Sequence, residues 1–215
     1  MKTKITTTIA ILFILFVGSV NAQDAKYLAA MQSSLQQFGA AKTSADYVAS
    51  ANQFERIGTL AKTEWLPFYY SAFSQLLNNT LLTKPEEKEA ALTKATELIE
   101  KAEAIHPAES EIFTLKGYIA LMQIYLDPMT KMQTEGPKAM AILGKAKALN
   151  PANPRPYFIA AQNTFYTPEA FGGGKNAAKP RLEEAAAKFE AFKPTNPMMP
   201  NWGKEQNQGL LNQCK

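Results

Sequence analysis

Apolar side chains recur every three or four residues along most of the chain, the spacing of one face of an α-helix. The first such stripe starts after Asp24 and ends at Gly39, and a second helix follows with Ser44 as its predicted cap. The first stripe consists of Tyr27, Leu28, Met31, Leu35 and Phe38. We therefore predict an all-α fold that opens with a pair of antiparallel helices.

Three later segments share one pattern of large and small residues. They begin at Phe68, Phe113 and Tyr157, so the shifts are 45 (113 − 68) and 44 (157 − 113) residues. Four positions on, each has a small residue, and four further on a bulky one: Ala72, Gly117 and Ala161, then Leu76, Leu121 and Phe165. A repeat of this period predicts stacked helix hairpins, each burying one face against the next.

The second helix of each hairpin repeats a small-large-small pattern. The matching positions are Ala95, Ile99 and Ala102, then Ala139, Leu143 and Ala146, and more loosely Ala178, Leu182 and Ala185. Pro107 and Pro151 close the first two units. These residues resemble the tetratricopeptide repeat; HEAT-type repeats have a more suitable length but match the small positions less well. The resemblance covers about 64–193 and implies a right-handed stack of antiparallel helix hairpins, and the length of the chain predicts a single domain over 23–215.

The predicted repeats span 64–107, 108–151 and 152–193, followed by a capping segment at 194–215. Each unit exceeds the roughly 34 residues of the family repeat. We expect the additional residues in surface loops at 78–85, 127–137 and 167–175, where insertions cost little. A short polar helix is expected within 202–213, with Trp202, Leu210 and Leu211 covering the open end of the stack.

Residues 1–22 have the pattern of a secretory signal peptide. Lys2 and Lys4 precede an apolar run at 9–17, and Ala22 ends a small-residue cleavage pattern. The alternative is an uncleaved membrane anchor, but this run is shorter than the roughly 20 residues that a span needs. We expect cleavage after Ala22, no transmembrane segment in the mature chain, and a periplasmic or secreted location.

Composition disfavours nucleic-acid binding and catalysis. The formal net charge is +4, and removal of Lys2 and Lys4 leaves 21 basic and 19 acidic residues, or +2. This charge is too small and dispersed for a nucleic-acid surface. His106 is the only histidine and Cys214 the only cysteine, so no nucleophile–base pair or metal-ligand spacing is evident. We predict no enzyme activity, no cofactor and no metal.

The family resemblance implies a concave groove lined by the first helix of each hairpin. Carried over unit by unit, the groove residues would be Tyr69, Phe73, Thr114, Tyr118, Phe158 and Gln162. An aromatic groove with a few polar groups suits an extended peptide or a protein helix. The alternative is that these side chains form core. Family members that clamp a peptide carboxylate use lysine and asparagine here, so recognition of chaperone tails is disfavoured.

The stretch Phe171–Lys175 is the most distinctive short motif. Gly172, Gly173, Gly174 and Lys175 precede a predicted helix, and such a loop could hold an anion or another ligand. The alternative is a tight turn between helices with Phe171 filling the core. The motif is similar to a turn in helical repeat proteins associated with TRAP-type transporters. We therefore predict a scaffold that binds a protein or peptide; the alternative is a helical component that binds a small ligand and works with a transporter.

Overall fold

The computed structural model describes residues 24–214, and all regular structure in that range is helical, which confirms the all-α prediction. The helices are α1 (24–40), α2 (Ser44–Leu60), α3 (Leu66–Leu81), α4 (Pro85–Ile105), α5 (Ser110–Leu126), α6 (Pro128–Leu149), α7 (Arg155–Tyr166), α8 (Lys175–Ala191) and α9 (Lys204–Asn212), with a 3-10 turn at Glu169–Phe171. The predicted signal peptide lies outside the described residues. No helix between residues 24 and 214 is long and apolar enough to cross a membrane.

Helices α3 to α8 form three neighbouring hairpins. Helices α3 and α4, α5 and α6, and α7 and α8 make the most extensive contacts of this part of the chain, and α5 also contacts α3 and α7. The first helices of the three hairpins therefore lie side by side. Helices α1 and α2 precede this stack, and α9 packs on α7 and α8. The finer classification as tetratricopeptide repeats stays a prediction.

The repeated small and large positions form the interior of each hairpin. Nine second-helix positions are each no more than 1% exposed: Ala95, Ile99, Ala102, Ala139, Leu143, Ala146, Ala178, Leu182 and Ala185. On the first helices, Ala72 and Ala161 are fully buried, and Gly117 occupies the equivalent position. A Cβ atom at Gly117 would lie 2.7 Å from Cδ2 of Leu143, so the absent side chain allows α5 and α6 to pack closely.

The additional residues of the repeat lie mostly in longer helices. The expected loop at 127–137 is instead the start of α6, which begins at Pro128 and continues past Pro137 to Leu149. Proline is tolerated in a first helical turn, and Pro137 removes one backbone hydrogen bond while the buried stripe that follows holds the helix in place. The expected loop at 78–85 shrinks to the residues between Leu81 and Pro85. The third expected loop, 167–175, keeps most of its length: residues 167–174 connect α7 to α8 and contain the 3-10 turn.

The cap of α2 is Thr43 rather than Ser44. The Thr43 hydroxyl accepts a hydrogen bond from the backbone N–H of Asp46, and the Asp46 carboxylate accepts one from the N–H of Thr43. This reciprocal pair satisfies two donors at the start of the helix. The Ser44 hydroxyl donates instead to Oδ1 of Asn78 at 2.6 Å, which ties α2 to α3.

Residues 192–203 form an irregular, non-helical segment, the C-terminal strap, between α8 and α9. The hydroxyl of Tyr70 donates to the carbonyl of Met198 at 2.8 Å, and the indole N–H of Trp202 donates to the hydroxyl oxygen of Tyr69 at 2.8 Å. Arg155 donates to the carbonyl of Pro200. The strap therefore crosses the first helices of the first and third hairpins, α3 and α7.

A buried ion pair links α5, α7 and the strap. Nη1 of Arg155 lies 2.8 Å from Oε1 of Glu111, and these side chains are 1% and 3% exposed. The guanidinium also lies 5.1 Å from the ring centre of Phe192 and 5.7 Å from that of Trp202. Burial raises the pKa of Glu111, and the nearby Arg155 partly opposes this. One cation thus connects two hairpins with the strap.

We predict different effects of alanine at two helical glycines. The free energy of unfolding of Gly117→Ala should be about 1–3 kcal/mol lower than that of Gly144→Ala, because the new methyl group is forced against Leu143. Nothing lies within 4 Å of a Cβ at Gly144, so Gly144→Ala should gain up to about 1 kcal/mol of helix propensity. Urea unfolding measures both free energies, and equal values would contradict the close packing of α5 on α6.

We also predict strong coupling between Arg155 and Glu111. Arg155→Met should cost about 3–5 kcal/mol because it leaves Glu111 buried without its cation, so its carboxyl group must stay charged or bind a proton. Adding Glu111→Gln should recover part of that loss, since the side chain left behind is then uncharged. A double-mutant cycle from urea unfolding measures the coupling, and additive single effects would show that the pair acts as two independent residues.

Candidate functional site

Two clefts lie on different faces of α5. The tyrosine cleft has a volume of about 580 Å³ and is lined by Tyr118, Met122, Tyr125, Pro128, Met132, Gln162, Tyr166, Thr167 and Pro168. Helix α5 supplies its first three residues, which follow one another at helical spacing on one face. The start of α6, the end of α7 and the following turn supply the rest. None of the described residues that line this cleft is charged.

The charged cleft has a volume of about 470 Å³ and lies between α4, α5 and α6. Its lining residues are Glu89, Leu92, Thr93, Ala120, Gln123, Ile124, Leu126, Lys131, Glu135, Lys138, Ala139 and Ile142. Lys138 and Glu135 form an ion pair at 2.9 Å. Leu92, Ile124 and Ala139 are almost fully buried and give this cleft an apolar floor. The two clefts therefore differ in charge although they share α5 and α6.

Two phenols of the tyrosine cleft, those of Tyr118 and Tyr125, are neutral near pH 7. Burial raises the pKa of Tyr118, partly opposed by the side chain of Gln162, and burial raises the pKa of Tyr125 to about 12. The Tyr125 hydroxyl donates to Oδ1 of Asn163 at 2.8 Å. Tyr118 and Tyr125 therefore offer ring faces and polar hydroxyl groups rather than negative charges. Together with Met122 and Met132 they make a polarisable, largely apolar surface.

The glycine loop supports the rim of the tyrosine cleft. The N–H groups of Gly172, Gly173 and Gly174 donate to the carbonyls of Glu169, Pro168 and Thr164, at 2.9, 3.2 and 3.0 Å. These three donors are therefore already engaged within the turn. A Cβ atom at Gly173 would lie 2.1 Å from the carbonyl oxygen of Thr167, so the loop packs directly behind the rim. Gly172 and Gly174 have φ of 79° and 89°, which glycine adopts without strain.

The six predicted groove residues fall into two groups. Tyr69, Phe73, Thr114 and Phe158 are no more than 5% exposed and belong to the interior. Tyr118 and Gln162 line the tyrosine cleft. The strap covers part of the predicted groove, because Trp202 binds the hydroxyl of Tyr69 and stacks on Phe73 at a ring-centre distance of 4.9 Å. The groove of the family resemblance is thus partly filled by this chain itself.

The other residues considered for chemistry in the sequence analysis lie outside both clefts. Phe171 is 80% exposed, so the alternative in which its ring fills the core is wrong. Its turn is held by the backbone hydrogen bonds of the glycines, so no aromatic anchor is needed there. Lys175 begins α8 and is exposed. His106 follows α4, and its ring centre lies 6.3 Å from that of Trp65. Cys214 packs against the apolar core shared by the second and third hairpins and α9.

Most residues of the tyrosine cleft are not among those predicted from the sequence. Met122, Tyr125 and Tyr166 were not singled out, nor were Met132 and the prolines at 128 and 168. A signal was present on α5, where Tyr118, Met122 and Tyr125 recur at intervals of four and three residues. Such a stripe is also typical of core, and only the stacking of α6 and α7 around it distinguishes the two.

The chain has a relative among the solved structures. The chain is similar to the solved structure of the HusA haemophore from Porphyromonas gingivalis, with a TM-score of 0.77 and 31% sequence identity. The match covers 88% of this chain and 92% of that one. This chain belongs to the HusA haemophore family. No protein-family model and no curated protein matches the chain, so the tetratricopeptide and TRAP-transporter resemblances stay predictions.

We predict that the glycine loop sets the shape of the rim. Gly173→Ala should shift the NMR amide signal of Thr167 and lower the free energy of unfolding by about 1–3 kcal/mol, because the methyl group meets a backbone carbonyl. Gly172→Ala is the matched control. A Cβ there meets open space, so the positive φ alone should lower the free energy of unfolding by only about 1–2 kcal/mol, and Thr167 should stay in place. Equal shifts of Thr167 in both variants would contradict direct support.

Proposed function

We propose that this chain binds a planar tetrapyrrole of the haem type in the tyrosine cleft. The observation that carries the proposal is an open cleft of about 580 Å³ lined by aromatic rings and methionines, without a charged side chain among its described lining residues. Pockets of roughly 300–1,000 Å³ hold ligands of this size. The proposal also has support from the related protein, whose printed name is a haemophore.

The chemistry of the lining fits such a cargo. A tetrapyrrole has two broad apolar faces, and burying them against aromatic rings and thioethers removes much apolar surface from water. Tyrosine and methionine are also among the side chains that bind haem iron. Tyr118, Tyr125 and Tyr166, with Met122 and Met132, are the candidates for such contacts. Because the pKa values of Tyr118 and Tyr125 are raised, a phenolate bond from either would require proton loss on binding.

The charged cleft is the less suitable site for this ligand. Its rim contains Glu89, Lys131, Glu135 and Lys138, and a flat apolar face placed there would strip water from these groups. Carboxyl groups of a tetrapyrrole can remain in water at the edge of the tyrosine cleft, because Pro128, Tyr166 and Pro168 on its rim are exposed.

This proposal favours the small-ligand alternative over the protein-binding scaffold. Four of the six groove residues predicted for peptide binding are buried, and the strap covers part of that groove. The proposal describes a binding protein rather than an enzyme, acting outside the cytoplasm after export. Three further predictions still rest on the sequence. They are that the protein works with a transporter, that the glycine loop holds an anion, and that the protein captures a protein partner.

The test is a titration with haemin and with metal-free protoporphyrin IX, followed by Soret absorbance. We expect saturable binding at one site and a loss of about tenfold or more, or about 1.4 kcal/mol, in Met122→Glu. That variant places a carboxylate among the apolar faces of the tyrosine cleft.

Gln123→Glu is the matched control. It introduces the same side chain one residue further along α5, where it lines the charged cleft. Its affinity should stay within about twofold of the unmodified protein. The proposal fails if neither tetrapyrrole binds saturably. An equal loss in both variants would move the site away from the tyrosine cleft.

A further inference from the structure

The C-terminal strap reaches the tyrosine cleft through one side chain. The ring of Trp202 stacks on that of Tyr118, with centres 6.2 Å apart and an angle of 28°. Tyr118 lines the cleft, whereas Trp202 does not. Trp202 therefore contacts a cleft residue from outside the cleft.

Trp202 is itself held by several contacts. Its indole N–H donates to Tyr69, which is fully buried, and its ring stacks on Phe73 at an angle of 27°. Two residues earlier, the carbonyl of Pro200 accepts a hydrogen bond from Arg155. These contacts fix the ring from α3 and from the strap backbone at once.

The turn after Trp202 is also restricted. Gly203 has φ of 103°, and a Cβ there would lie 2.8 Å from Cζ of Phe189 and 3.3 Å from Cδ1 of Phe158. Only glycine combines this backbone conformation with so little space. The amide of Asn207 then donates to the carbonyl of Leu182, which fixes α9 on α8. The strap is therefore anchored before and after Trp202.

We propose that the strap is part of the binding site, with Trp202 as a positioning residue for Tyr118. A ring held in one orientation before binding loses less conformational freedom when a ligand stacks on it. Because such coupling is reciprocal, a ligand in the cleft also stabilises the strap. The ligand class rests on the proposed function, but the positioning of Tyr118 does not.

The first measurement needs no ligand. With 3-fluorotyrosine incorporated, the fluorine signal of Tyr118 is assigned from its loss in Tyr118→Phe. Trp202→Ala should shift or broaden this signal because the stacked ring is gone. Trp202→Phe retains an aromatic face and should change it less, and Asn201→Ala, an exposed neighbour in the strap, should leave it unchanged.

The second measurement uses metal-free protoporphyrin IX. Trp202→Ala should weaken binding about tenfold, Trp202→Phe should weaken it less, and Asn201→Ala should leave it unchanged. This order should match the order of the three variants' effects on the Tyr118 signal. The chain contains two tryptophans, so Trp65→Phe assigns the two indole N–H signals. Saturating ligand should slow hydrogen exchange of the Trp202 indole, whereas that of Trp65 should stay unchanged.

The outcomes separate the two proposals. An unmodified protein that binds no tetrapyrrole defeats the proposed function, while the fluorine signal of Tyr118 still decides whether Trp202 positions it. Unchanged Tyr118 signals in both Trp202 variants, or unchanged affinity in a folded Trp202→Ala, would overturn the role of the strap. If Trp202→Ala does not fold, Trp202→Phe is compared with Asn201→Ala by the same two measurements, and that comparison decides the role of the strap.

Discussion

The buried guanidinium of Arg155 is the point on which the C-terminal half of the molecule depends. It bonds to Glu111 of α5 and to the carbonyl of Pro200, and it lies beside the rings of Phe192 and Trp202. Removing such a charge from water is expensive, and a pair of this kind often contributes little net stability. Within residues 24–214, Nε of Arg155 and Oε2 of Glu111 lack a hydrogen-bond partner, so the pair is not fully satisfied. Its more evident contribution is to fix where the strap lies.

That constraint gives the repeat stack an asymmetry that its sequence pattern lacks. The second helices repeat the same small and large residues in each hairpin, so the three interiors are built alike. The first helices do not, because the strap contacts α3, α7 and Tyr118 in the middle of α5 but leaves the end of α5 open. The tyrosine cleft lies at this open place, between the end of α5, the start of α6 and the turn after α7. A regular stack thus acquires one distinctive site.

The sequence predicted the interior far better than the site. Gly117 and the alanine positions repeat at a fixed period and can hardly serve anything but close helix packing, so the hairpins followed directly. The prediction of a loop at 127–137 was wrong, because proline usually marks a helix boundary, whereas Pro128 begins α6 and Pro137 lies inside it. A capping segment could be predicted there, but its path could not: the strap's partners Tyr69, Tyr70 and Arg155 are between 45 and 133 residues away in sequence. No local pattern encodes such contacts.

The contrast between local pattern and distant contact also explains why some predicted groove residues are buried and others line the tyrosine cleft. Positions carried over from a repeat family assume that the concave side is free, and the carry-over fails where another segment of the chain lies across it. Tyr69 and Phe73 face the strap, whereas Tyr118 lies where the strap ends and the cleft begins. A single aromatic position can therefore be core in one hairpin and binding surface in the next. What decides between them is the path of a distant segment, set by one buried cation and a glycine turn, rather than the side chain itself.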